Sequence, residues 1–271
     1  MPLNASARRL IDEARSRYLE GSDLTSFGDR ISIAPLPWSF EEIVSSHAQR
    51  SPDLLDLETG GGEWLAALSF RPARTVATES WPPNVDVAGA RLRPLGIIVV
   101  HHEAARENVD QDPGEEGGRL PFPPESFALI TNRHATFLAE EVARVLTRGG
   151  TFLTQQVGGR YDDFYGALGL DRPAPRPRGW NLSLARAQVA AAGLDVVESG
   201  HAEEFTTFAD IGAFAWYLWA LPWTVPGFDL ETHRSHLGRL HERIGREGPL
   251  TVRLPAFWLR AVRPRDAPAR A

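Results

Sequence analysis

The 271-residue chain contains no cysteine and no lysine, and all 29 of its basic side chains are arginine. Without cysteine there is no disulfide, no thiol nucleophile, no Cys-ligated zinc and no iron–sulfur cluster. Without lysine there is no pyridoxal Schiff base and no P-loop lysine to grip a phosphate. Long apolar runs are also missing. The longest, Ile211 to Leu221, falls short of the roughly 20 residues that a membrane helix needs. Met1 to Glu20 is studded with Arg8, Arg9, Asp12, Glu13, Arg15 and Arg17 and does not read as a secretory leader. The expectation is a soluble, cytoplasmic protein with no membrane partner. A formal net charge of −6 speaks against a chain that coats a phosphate backbone, so nucleic acid is a poor candidate partner.

What remains is 42% hydrophobic and 24% charged, enough for one large core with an appended subdomain. The chain reads as an N-terminal helical cap over 1–50, a main domain over 51–263 with an insert at 205–248, and a disordered tail over 264–271. Within the cap, Leu10, Ile11, Ala14 and Tyr18 fall at helical spacing in a helix expected over Ala5–Glu20. Ser39 followed by Glu42 forms a capping box for a second helix ending near Arg50. From Asp53, short apolar runs alternate with helical segments, the pattern of a parallel sheet covered on both faces. Strands are expected near Leu54–Leu57, Thr75–Glu79, Gly96–Val100, Ala128–Asn132, Thr151–Gln155, Leu194–Ser199 and Leu250–Val262. Helices are expected over Trp64–Ser69, Pro83–Leu92, Leu138–Thr147 and Ser183–Ala192, and Gly149-Gly150 suits a tight turn into the fifth strand. Gln111–Arg119 reads as a mobile loop and Leu170–Gly179 as a Pro/Arg connection. Phe205–Phe228 is a dense aromatic insert, half core and half lid, in which the neighbours Trp216 and Tyr217 must point different ways.

The chemistry concentrates at Asp56-Leu57-Glu58-Thr59-Gly60-Gly61-Gly62, where an apolar strand runs into a Gly-rich turn and then a helix. Such a turn lets backbone approach a ligand closely, and the helix start offers free N–H groups. Glu79 ends the next strand, 23 residues after Asp56, where a carboxylate can accept hydrogen bonds from ribose hydroxyls. With Leu120-Pro121-Phe122 and Glu141–Leu146 leading to Gly149-Gly150, these residues resemble the class I S-adenosylmethionine-dependent methyltransferases of the type 11-like kind. The likeness covers about Asp53 to Val157.

The resemblance implies an α/β, Rossmann-like seven-stranded sheet whose last strand is antiparallel, with S-adenosylmethionine lying across the carboxyl ends of the first strands. Gly60 and Gly62 would border the methionyl part, Glu79 would hold the ribose, and His102 or Glu103 would lie near the adenine, with Asp56 and Glu58 also among the expected cofactor-binding residues. Asn132, Arg133 and His134 would face the transferring methyl group, with His134 the candidate general base. Gln155, Tyr161, Trp216, Trp219 and Trp223 are the candidate contacts to a small, aromatic or hydrophobic acceptor, with Arg133 beside them. Glu58 stands where the family has its first glycine, and Ala128 where an acid is common. Glu58 either pairs with the cofactor's amino group or hinders the cofactor. These departures keep alive a methyltransferase-like protein that transfers no methyl group, whether a binding module or a cyclase. A ribosomal RNA methyltransferase is the lesser alternative. His233, His236 and His241 read as a solvated helix face, so no metal is expected, and oligomeric state is left open.

Overall fold

The computed structural model describes residues 4–17, 24–105, 107–109, 117–159, 161–171 and 179–265. Most of the Gln111–Arg119 loop, the middle of the Leu170–Gly179 connection, the end of the Ala5–Glu20 helix and the bulk of the 264–271 tail lie outside them. A single sheet organises the described residues. Its strands are β1 (Ile31–Ile33), β2 (Asp53–Leu57), β3 (Arg74–Glu79), β4 (Ile98–His101), β5 (Phe127–Arg133), β6 (Leu146–Val157), β7 (Asp195–Phe208) and β8 (Leu250–Val262). Their spatial order is β1-β7-β8-β6-β5-β2-β3-β4, with β8 antiparallel to both neighbours and β2 to β6 parallel. The expected seven strands are all present. The eighth is β1, whose three residues pair antiparallel with Phe208–Thr206 at the sheet edge, so part of the expected helical cap belongs to the sheet.

Two apolar layers cover the sheet, as its parallel strands require. On one side α2 (Phe40–Ala48), α3 (Glu63–Ala67) and α4 (Pro82–Leu92) pack against Leu54, Ala77, Leu129 and Leu153. On the other, α5 (Ala139–Val145) and α7 (Leu182–Ala191) cover Leu55, Ile130, Phe152 and Leu259. The Ser39 side chain accepts from Glu42 N at 3.1 Å and starts α2, which ends at Ala48. Gly149-Gly150 is not the turn into β6: the strand already begins at Leu146, and Gly149, at φ 74, sits in an irregular start where its N–H donates to Arg263 O.

The β7–β8 pairing runs on past the last β6 partner, Ala256, to Phe208↔Leu250. This ribbon carries its own core: α1 (Ala5–Ser16), α6 (Asp162–Leu168), α8 (Ile211–Ala220) and α9 (Arg234–Glu247) bury Phe164, Phe208, Phe214, Val252 and Leu254. The aromatic insert is therefore mostly core. Phe205 and Phe208 belong to β7 itself, and α8 is apolar and buried from Ile211 to Leu218.

Candidate functional site

The site lies at the carboxyl ends of β2, β3, β5 and β6, where parallel strands of this topology leave their side chains free of the sheet. After β2 the chain turns through three left-handed residues, Glu58 (φ 57), Gly60 (φ 63) and Gly62 (φ 79). Gly62 abuts Leu92, so a Cβ there would lie 2.8 Å from the leucine side chain. The turn brings the Gly60 N–H to Glu79, whose Oε2 accepts it at 2.7 Å while Oε1 accepts from Trp81 N at 2.8 Å. Trp81, which the sequence reading passed over, is half exposed at the same strand end.

Asp56, Glu58 and Glu79 thus converge. Asp56 is buried and accepts from Thr131 Oγ1 at 2.7 Å. Burial, with the Glu58 charge adding to it, pushes Asp56 up to about 6 and Glu79 up to about 7. An acid raised in the folded state binds more protons there than when unfolded, so stability falls as pH rises. Urea denaturation should show this pair costing stability between the ordinary carboxylate range and about pH 7, and a cationic ligand should relieve the loss.

Glu58 does not point into solvent. Its Oε2 accepts from Ser80 Oγ at 2.5 Å and its Oε1 meets His102 Nε2 at 2.6 Å, with the two side chains only 10% and 8% exposed. The carboxylate therefore crosses from the end of β2 past β3 to the residue after β4. The enclosed space beside the pair, bounded by Leu57, Ala104, Ala105 and Phe137, is about 10 Å³, room for about one water molecule. Glu103 is exposed, and its carbonyl accepts from Gly118 N.

At the end of β5 the neighbours diverge. Asn132 is fully buried: its Nδ2 donates to Leu57 O, and its Oδ1 accepts from Thr154 Oγ1 and Gln156 Nε2. Its amide ties β5 to β2 and β6 through these bonds. Arg133 and His134 are exposed at and just beyond the end of β5. The Arg133 guanidinium lies 5.9 Å from the centre of the Trp64 ring and feels Asp56 and Glu204. His134 has φ 57, and its Nε2 meets Gln155 Nε2 at 3.1 Å. Desolvation by the protein packed around it, then the Arg133 charge, holds its imidazole below the ordinary value although the residue is exposed. Gln155 Oε1 in turn accepts from Trp38 Nε1 at 2.8 Å, a partner not foreseen from the sequence.

Of the expected acceptor contacts, Tyr161 meets Phe164 edge-on at 6.2 Å between ring centres, and Trp223 is 58% exposed. Trp216 is buried against Phe27 with its Nε1 donating to Arg17 O, so it is core and not lining. Trp219 packs against Phe228 in the helical layer. Among the described residues no helix is long and apolar enough to cross a membrane, and no group of three His, Cys, Asp or Glu side chains is placed to hold a metal ion.

The strand order, the antiparallel β8 and the glycine turn facing an acid at the end of β3 define the class I methyltransferase fold. Solved structures with this fold lie near the chain. A methyltransferase candidate from Bacillus halodurans C-125 superposes with TM-score 0.54 at 20% identity, covering 81% of this chain and 98% of its own. The YcgJ protein from Bacillus subtilis gives 0.53 at 20%, covering 84% and 99%. A functionally unknown protein from Deinococcus radiodurans R1 gives 0.52 at 17%, covering 96% and 100%. No family model and no curated protein matches the chain.

Proposed function

We propose that the chain transfers a methyl group from S-adenosylmethionine to a small acceptor. The observation that carries this is the convergence of Asp56, Glu58 and Glu79 behind the glycine turn. Such a set of acceptors suits a ligand bearing a sulfonium, an ammonium and a ribose diol. Gly60 and Gly62 would border the methionyl part, and Glu79, already held by two backbone N–H groups, would take the ribose hydroxyls. Bound there, the cofactor supplies an activated methyl electrophile, so the protein's part is chiefly positioning. Trp64 and Arg133 would stand on the acceptor side, with Tyr161 and Trp223 as its aromatic border.

One side chain stands in the way. Glu58, bonded to Ser80 and His102, crosses the floor on which the adenosine would rest, and it has to turn out before the cofactor seats. That same bridge is what favours the second reading, a methyltransferase-fold protein that transfers no methyl group. Calorimetric titration with S-adenosylmethionine and S-adenosylhomocysteine separates the two. Micromolar binding of both supports transfer, and silence at millimolar ligand supports the second reading. In the first case Glu79→Ala should weaken binding about tenfold, the scale of a lost charge-assisted hydrogen bond. An unchanged dissociation constant in the folded variant removes Glu79 from the site.

A further inference from the structure

The three side chains Trp38, Gln155 and His134 form a chain in which each hydrogen bond dictates the next. An indole N–H only donates. Its 2.8 Å contact therefore requires the Gln155 oxygen to face Trp38, which leaves the Gln155 NH₂ facing His134. That NH₂ also only donates, so His134 Nε2 must supply the lone pair and the ring proton must sit on Nδ1. The backbone reinforces the pose: His134 N donates to Gln155 O at 2.8 Å, and the left-handed φ of 57 turns the residue out of the strand. Gln155 itself is buried at the end of β6, where neither amide atom can easily exchange partners with solvent. Among the described residues no hydrogen bond to His134 Nδ1 is recorded, and solvent reaches the ring.

We propose that His134 is held as a hydrogen-bond donor and that, with the neighbouring Arg133, it selects an acceptor whose methylated atom is an oxygen anion of the carboxylate kind. This rests on the methyl-transfer reading for the word acceptor, but not for the binding itself. Neither side chain can remove a proton: arginine stays protonated, and the one basic nitrogen of His134 is taken by Gln155. These two donors take no proton from a nucleophile held between them, which suits a carboxylate, already ionised at neutral pH, better than an alcohol, which would need a base. A carboxylate oxygen forms the new C–O bond as the C–S bond of the sulfonium breaks and its electron pair passes to sulfur, and no proton changes hands. Asp56 and Glu204 lie within the field of Arg133 and oppose an anion. Selectivity therefore depends on the directed Nδ1–H and guanidinium donors rather than on net charge. Trp38 and Gln155 are positioning residues that act through His134.

Two readouts on the full chain test this without any cofactor. Nitrogen-15 spectra of the histidine rings should show a neutral ring protonated on Nδ1, absent from the spectrum of His134→Phe. Gln155→Glu, which can only accept, should move that proton to Nε2. In parallel, benzoate, benzyl alcohol and benzylamine serve as anionic, neutral and cationic probes of one size, read by tryptophan fluorescence. Benzoate should bind at least about tenfold tighter than the alcohol, a preference that Arg133→Gln and Gln155→Glu each reduce. A His134 ring protonated on Nε2 in the parent protein overturns the proposal, as does benzylamine or the alcohol binding as tightly as benzoate. Should Gln155→Glu fail to fold, the parent's tautomer and probe order still decide. A negative cofactor titration would sink methyl transfer and leave both readouts standing.

Discussion

Replacing Glu58 by glycine is expected to tighten the binding of S-adenosylhomocysteine by roughly ten- to a hundredfold. The left-handed φ of 57 costs a non-glycine residue about 1–2 kcal/mol, but that strain is common to the free and bound protein and cancels in the affinity. What does not cancel is the carboxylate bridge. Seating an adenosine on the strand ends requires Glu58 to give up Ser80 Oγ and His102 Nε2, and losing charge-assisted hydrogen bonds of this kind costs about 1.5–3 kcal/mol. Glycine makes no such bridge, so the bound state no longer carries its loss. A second signature comes from Glu79. Burial first, then the Glu58 charge, raises it to about 7, so ligand affinity through its ionised carboxylate should increase as pH rises through neutrality in the parent. In Glu58→Gly that rise should move to lower pH. Calorimetry across pH at fixed ionic strength checks both. A weaker variant would instead make Glu58 a direct partner of the cofactor's amino group, the other outcome that its place in the motif leaves open.

The legibility of this site in the sequence follows how local each signal is. Asp56 and Glu79 are readable because one stands next to the end and the other at the end of a short strand whose middle is apolar or β-branched, and the end of a parallel strand is where polar side chains meet ligands. The Glu58–His102 bridge joins residues 44 apart and the Trp38–Gln155 bond residues 117 apart, and no periodicity encodes either. Asn132 and its neighbour Arg133 read alike in the sequence and differ in the fold. Asn132 is buried among polar partners within the sheet, whereas Arg133, at the last position of β5, is exposed. The same physics governs the fold. β8 is readable from Leu250 to Val262 as a long apolar and β-branched run. β7 reads as ending at Ser199 because its continuation, Gly200–Phe208, is polar on its open face, although it runs nine residues further to Phe208. β1 has too few residues for any pattern and exists because β7 offers it a free edge. The insert's aromatic density suggests a lid, but a helix that is apolar all round is one that the protein buries, and α8 is buried along most of its length.

Asp210→Ala should destabilise the protein by about 2–3 kcal/mol, because this carboxylate does two jobs at the junction of the ribbon and its helices. As the N-cap of α8 it accepts from Gly212 N at 2.8 Å and Ala213 N at 3.1 Å, and removing a cap of this kind costs about 1 kcal/mol. It also accepts a two-pronged contact from Arg30, with both N–O distances 2.7 Å, across 180 residues of chain. Both side chains are less than a quarter exposed, so the pair is neither fully screened nor fully desolvated, and Arg30 keeps Glu13 at 2.8 Å when Asp210 is lost. Asp210→Asn retains the cap but not the ion pair and should recover about 1 kcal/mol of the loss. Burial opposes ionisation of Asp210, but the bonds from Arg30, Ala213 and Gly212 outweigh it and hold the group below its ordinary value of 3.8. A depressed carboxylate stabilises the fold above its unfolded value and loses that contribution as pH falls through the folded one. The difference between parent and Asp210→Ala in urea midpoint should therefore be full at pH 7 and shrink on acidification below the ordinary aspartate range. A gap that stayed constant into acid would show that the ion pair contributes little and that Asp210 matters as a cap alone.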